Sequence, residues 1–222
     1  MASVKRKFKI TPRNYVRPTF SREGDNYTGS GIIPEGIFNE KFGIWVIVEK
    51  SNGGDIYTDI GGKYCFEDID LLGCATREWN EETYYSHEIT TKALRRAING
   101  TVEIKDHKNK PTYLSYIVTE EVLLSDNTIQ PLEFHKSREN AMKNRNKFNS
   151  DHLDKIYRTK DIVHIPYSDI PKILTGTTDI KFSSRLTCIL EDEHFKPYLN
   201  ENDGVEEIRT LTQETTIATP NK

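Results

Sequence analysis

Arg77, Glu78, Glu81 and Glu82 stand in the order Arg-Glu-x-x-Glu-Glu. Positions three and four apart are neighbours on a helix surface, so a helix here gathers the three glutamates on one arc. Like charges that close repel, and something cationic must offset them. Hard divalent cations take carboxylate oxygens, and Mg2+ commonly bridges one or two carboxylates to substrate phosphates. The competing reading is a solvated acidic face, the usual fate of glutamate on a helix. Two features argue for chemistry. On a helix over residues 71–83, Leu71, Leu72, Ala75 and Trp79 share one side, and the carboxylates border that apolar stripe rather than oppose it. Gly61 and Gly62 precede the helix and read as a turn, where backbone can approach a ligand closely.

The surrounding pattern supplies elements to hold such a helix. Residues 29–38 read as a first strand. Residues 42–50 (FGIWVIVEK) are almost continuously apolar and rich in β-branched and aromatic side chains, the mark of a central strand. Asn52-Gly53-Gly54-Asp55 is a tight turn, and residues 56–60 return as an edge into Gly61-Gly62. Asp70 is the expected N-cap of the helix. A short helical turn follows at 91–98, then a hairpin of 101–106 with 111–119. In the second hairpin strand both alternating faces carry sizeable residues, as in a sheet covered on both sides. Residues 120–133 read as an acidic loop, and 136–148 as a polar surface helix with little apolar stripe. A strand at 161–166, a short helix opening at Tyr167, and an amphipathic helix over 182–190 with Leu186, Ile189 and Leu190 inward complete the reading.

With these elements in place, Gly61-Gly62-Lys63 followed by Arg77-Glu78-Trp79-Asn80-Glu81-Glu82 resembles the Nudix box: Gly, five residues, Glu, seven residues, then Arg-Glu-hydrophobic-x-Glu-Glu-x-Gly-hydrophobic. Two departures are plain. From Gly62 to Arg77 the chain carries one residue more than the pattern, so the first Glu has no direct counterpart; Ile69 holds its distance and Glu67 or Asp68 is the nearest acid. The Gly after the double Glu is Tyr84, which must end the helix by some route other than a left-handed glycine, or extend it.

The resemblance implies an α/β fold, an α/β/α sandwich with a mixed sheet between helices. It implies a pyrophosphohydrolase that uses Mg2+ or Mn2+ and acts on a nucleoside diphosphate linked to another group. Glu78, Glu81 and Glu82 would be metal ligands, with one of them the general base, and the Gly62 carbonyl a further ligand. Arg77 would orient a glutamate by ion pair, with Glu67 or Asp68 as its partner. Lys63 is a candidate for substrate phosphate. An extra acid from a later loop would be Glu120, Glu121 or Glu133. The alternative is a Nudix-fold nucleotide- or RNA-binding module without catalysis, which has no reason to keep three crowded carboxylates.

The whole chain sets bounds. Its 222 residues allow one domain with a real core. Residues 1–27 read as a basic arm, 28–199 as the catalytic domain with a basic helical insertion at 134–160, and 200–222 as a polar, disordered tail. No apolar run approaches the roughly 20 residues of a membrane helix, so no membrane partner is expected. Three scattered cysteines, Cys65, Cys74 and Cys188, suit free thiols in a reducing compartment, here the cytoplasm. The net charge of −3 hides basic clusters in the arm and the insertion, which suit a polyanion: the 5′ end of a capped or triphosphate RNA, or a small nucleotide derivative. Tyr15, Phe20, Tyr27 and Phe148 are aromatics near those clusters that could stack on bases.

Overall fold

The structure, a computed structural model, describes residues 27–144 and 157–199. The basic arm (save Tyr27) and the polar tail lie outside the described residues, as does most of the second half of the basic insertion.

Seven strands form one mixed sheet: β1 (Gly29–Phe38), β2 (Lys41–Ser51), β3 (Gly54–Thr58), β4 (Ile60–Lys63), β5 (Ile98–Lys105), β6 (Pro111–Thr119) and β7 (Thr159–Pro166). β1 runs parallel to β6, and the other pairings are antiparallel. β1 and β2 pair only where Glu35–Phe38 meets Lys41–Ile44. Beyond that they diverge. β3 continues along β2 while β4 crosses to pair with the start of β1, Gly61 opposite Gly31 and Gly62 opposite Ser30. Gly61-Gly62 therefore lies within a strand rather than in a turn. The expected single edge over 56–60 is two strands broken at Asp59, because one strand cannot follow both diverging neighbours.

Helices cover both faces, as the unbroken apolar run of β2 requires. Trp45 and Ile47 point to one face, Ile44 and Val46 to the other. The first face is packed by α1 (Leu71–Glu82), α2 (Thr91–Ala97), α3 (Glu120–Leu123) and α4 (Pro131–Lys143), through Leu72, Ala75, Trp79, Leu94, Leu123 and Phe134. The second is packed by α5 (Ile170–Leu174), which follows a 3-10 turn at Tyr167–Asp169, and by α6 (Ser184–Leu190), followed by α7 (Lys196–Leu199). Leu186, Ile189 and Leu190 of α6 are buried, as its periodicity indicates.

Two polar-looking segments differ from expectation. Residues 120–133 are not simply loop: α3 occupies their start, and α4 opens at Pro131, a residue suited to a first helical turn. The helix expected to begin at 136 thus begins a turn and a half earlier, bringing in Phe134. That ring is fully buried, and Ala141 and Met142 pack on the same core. A single large aromatic anchors the helix where the pattern shows no stripe.

α1 begins as expected. The Asp70 side chain accepts from the Gly73 amide at 2.7 Å. Its end is a correction. Tyr84 and Tyr85 both take left-handed backbone, φ 53° and 58°, so the chain leaves the helix as a glycine would allow. Left-handed backbone costs a non-glycine residue about 1–2 kcal/mol. Tyr84 offsets it by burying its ring against Phe134 and donating its hydroxyl to the Thr159 carbonyl at 2.8 Å.

Candidate active site

α1 packs against β1 and β4. That docking turns Glu78, Glu81 and Glu82 inward, where they are 2%, 5% and 4% exposed. Buried carboxylates on this scale are rare unless paired or bonded. The Glu82 carboxylate accepts the Gly61 amide at 2.8 Å. Glu78 lies against Gly62 so closely that a methyl group there would sit 2.5 Å from its carboxyl carbon. Gly62 is glycine because this carboxylate occupies the space a side chain would take.

Arg77 ties the cluster together. Its Nε and Nη2 donate to the two oxygens of Asp68 at 2.8 and 2.9 Å, the fork geometry that makes arginine–carboxylate pairs strong. Nη1 donates to Glu78 at 2.5 Å and Glu81 at 3.2 Å, and Nη2 also reaches the Lys63 carbonyl at 2.8 Å. Burial lowers the guanidinium's basicity, but the hydrogen bond to Asp68 and the charges of Glu78, Glu81 and Asp68 outweigh it and raise the pKa. Burial pushes the Asp68 carboxyl up, yet Arg77 and the Cys65 amide and thiol hold it below its ordinary value. Of the two acids nearest the missing first Glu, the structure brings Asp68 to Arg77 and leaves Glu67 exposed.

The remaining candidates are placed elsewhere. The Lys63 side chain is exposed at the end of β4. Glu121 and Glu133 are exposed, and Glu133 pairs with Lys136 at 2.7 Å. Glu120 is buried beside Gly36, at the other end of β1 from the Ser30–Gly62 pairing, about 20 Å away at the rise of a strand. There it accepts the Trp45 indole N–H at 2.9 Å and the Ile129 amide at 2.5 Å. The structure thus brings none of the three later acids to α1. Cys65 and Cys74 are buried, and burial pushes both thiols up to about 12, which suits packing rather than nucleophilic attack.

A second polar group meets β4 from the far face. Asp59, fully buried at the break between β3 and β4, accepts the Tyr113 hydroxyl at 2.8 Å and Arg185 Nε at 2.6 Å. Arg185 Nη2 donates to the Gly61 carbonyl at 3.2 Å, and its guanidinium lies over the Tyr113 ring, 4.7 Å from the centroid. Side chains on Gly31 or Gly61 would collide with the Tyr113 hydroxyl. This group was not legible in the sequence. Arg185 and Asp59 are 126 positions apart, and the only local signal was a glycine inside each of two strands, which marks close approach without naming the partner.

As they stand, no three His, Cys, Asp or Glu side chains among the described residues form a metal-holding cluster. Glu78 and Glu81 are turned onto Arg77 and Glu82 onto the Gly61 amide. The donor chemistry nonetheless fits a hard cation. Three carboxylates and the Gly62 carbonyl supply oxygen ligands, and rotating Glu78 and Glu81 off a shared guanidinium still leaves Arg77 its two bonds to Asp68.

Two solved structures align with most of this chain at low identity. A C. elegans Ap4A hydrolase binary complex aligns over 82% of this chain and 97% of its own, with 11% identity and a TM-score of 0.40. A mutT/nudix family protein from Listeria innocua aligns over 86% and 96%, with 13% identity and a TM-score of 0.34. A scan of protein-family models gives no match, and neither does a sequence comparison with curated proteins.

Proposed function

We propose that the chain is a metal-dependent pyrophosphohydrolase of the Nudix type, cleaving a pyrophosphate linkage in a nucleoside diphosphate joined to another moiety. The observation that carries this reading is the burial of three glutamates of one helix, Glu82 on the Gly61 amide, Glu78 against Gly62 and Glu81 on Arg77, with Arg77 clamped on Asp68. Burying three carboxylates together is costly for a module that only needs to fold.

Glu78, Glu81, Glu82 and the Gly62 carbonyl would hold the cation. Mg2+ or Mn2+ bound there would neutralise the diphosphate and lower the pKa of a coordinated water. The protein's own contribution is positional. Arg77, fixed by Asp68, keeps Glu78 and Glu81 gathered on its guanidinium, from where a short rotation would turn them onto the cation. The Gly61 amide sets the rotamer of Glu82. One of the three glutamates takes the proton of the attacking water. For substrate, the reading covers capped or triphosphate RNA 5′ ends and small nucleotide derivatives alike.

The test is a pyrophosphatase panel of these substrates with Mg2+ and Mn2+, comparing the native chain with Glu82→Gln. Release of product that falls at least about a hundredfold in the variant, the range of a lost general base or positioned ligand, supports the reading. No turnover of any substrate together with no metal binding by calorimetry would favour a catalytically silent nucleotide- or RNA-binding module, whereas metal binding without turnover would point to a substrate outside the panel.

A further inference from the structure

A cleft of about 350 Å3 lies on the face of β4 opposite α1. Its walls include Gly62, Lys63, Ile104, Tyr113, Arg185 and Cys188. That volume is in the range of small-molecule sites. Its cations are arranged in a way the fold alone does not explain. Arg185 spends Nε on Asp59 and Nη2 on the Gly61 carbonyl and the Thr58 hydroxyl, bonds that account for a structural role. Its Nη1 edge bonds to nothing among the described residues, and the side chain is 29% exposed where it borders the cleft. Stacking on Tyr113 and the grip of Asp59 fix the plane of the guanidinium, so that edge is pre-organised. Lys63, exposed on the same rim, has no side-chain partner among the described residues. Gly62 separates this rim from Glu78 by the thickness of one backbone.

We propose that this cleft binds the phosphate groups of a nucleotide, with the open edge of Arg185 and the ammonium of Lys63 as its two cations. A planar guanidinium edge and a mobile ammonium are complementary ways of holding phosphate oxygens. The inference rests on the pyrophosphohydrolase reading only for the identity of the ligand: a phosphate chain held here runs past Gly62 toward the α1 glutamates.

Cys188 offers a readout independent of turnover. It is the exposed thiol of the three cysteines and lines the cleft, whereas Cys65 and Cys74 are buried. In EDTA, its alkylation by N-ethylmaleimide would be followed by mass spectrometry with increasing ADP or inorganic tripolyphosphate, against NaCl of matched ionic strength. At saturating ADP or tripolyphosphate, Cys188 labelling is expected to slow at least fivefold in the native chain and in Glu82→Gln. In Lys63→Glu and in Arg185→Lys, which keeps a cation beside Asp59 but loses the open edge, tenfold more ligand is expected to be needed. Absence of protection by either phosphate compound, equal protection by NaCl, or unchanged protection in both Lys63→Glu and Arg185→Lys would overturn the proposal. Loss of turnover in Glu82→Gln with protection retained separates this site from the catalytic reading.

Discussion

Arg77 grips Asp68 through two parallel hydrogen bonds, Nε to Oδ1 at 2.8 Å and Nη2 to Oδ2 at 2.9 Å, and so stands fixed between the loop before α1 and the glutamates on it. Asp68 acts through Arg77 and never needs to touch substrate. Asp68→Asn replaces one acceptor with a donor facing the guanidinium. Outer partners of metal ligands are typically worth 10- to 100-fold, so kcat should fall by about that factor with KM little changed. Steady-state kinetics with Mg2+ check this, and Asp68→Glu should restore part of the loss. A variant with native kcat would leave Arg77 without the positioning role given to it.

The two glycines of β4 separate catalysis from folding. At Gly62 an added methyl group meets the end of the Glu78 side chain, which can swing away. Gly62→Ala should therefore cost little stability, under about 1 kcal/mol, yet displace a carboxylate and lower turnover about 10- to 100-fold. At Gly61 the same methyl group meets the Gly31 backbone and the buried Tyr113 hydroxyl. Gly61→Ala should destabilise by about 3 kcal/mol, at the upper end of overpacking costs. Urea denaturation and turnover per folded molecule distinguish the two. The placement of Glu78 would be refuted by full turnover in Gly62→Ala.

Glu120 should prove structural. Glu120→Ala strands the Trp45 indole N–H and the Ile129 amide, each a buried donor worth about 1–3 kcal/mol when unsatisfied. The expected loss is about 2–4 kcal/mol of stability, with kcat per folded molecule unchanged. A kcat that collapses while the melting temperature holds would restore Glu120 as a catalytic candidate.

A buried contact on the second face makes stability depend on pH. Glu35 accepts from Tyr167 at 2.5 Å and Asn99 at 2.8 Å, and lies 3.3 Å from His194 Nε2. The hydrogen bond to Glu35 raises the His194 pKa above its ordinary 6.5, against a smaller opposing effect of burial. Burial raises Glu35, but His194, Tyr167 and Asn99 bring it below its ordinary 4.5. The stabilisation from His194 is complete below 6.5 and is lost as pH rises through the raised value. That from Glu35 is complete above 4.5 and is lost as pH falls through the lowered one. The contact therefore contributes most between about pH 4.5 and 6.5. Melting temperature should decline above that window more steeply in the native chain than in His194→Gln. Parallel pH profiles for the two would disprove the linkage.

Much of this protein was legible in its sequence. Periodicity placed α1 and its Asp70 cap, the central strand β2, the hairpin of β5 and β6, and the inward face of α6, because each is decided by neighbours a few residues apart. The spacing of Glu78, Glu81 and Glu82 determined that they would share one arc of a helix. What only the tertiary structure decided depends on contacts between distant positions. The divergence of β1 from β2 turned Gly61-Gly62 from an expected turn into a strand. The depth of α1 against β4 buried the three glutamates. Asp68 rather than Glu67 met Arg77 because the loop's path selects between adjacent acids that spacing cannot separate. Tyr84 could hold left-handed backbone because Phe134 and Thr159 reach it from remote segments. Asp59, Tyr113 and Arg185 meet only once three separate elements pack. A side chain's type can be read where it stands in the chain, but its partner is set by which elements share a surface, and that is a property of the folded whole.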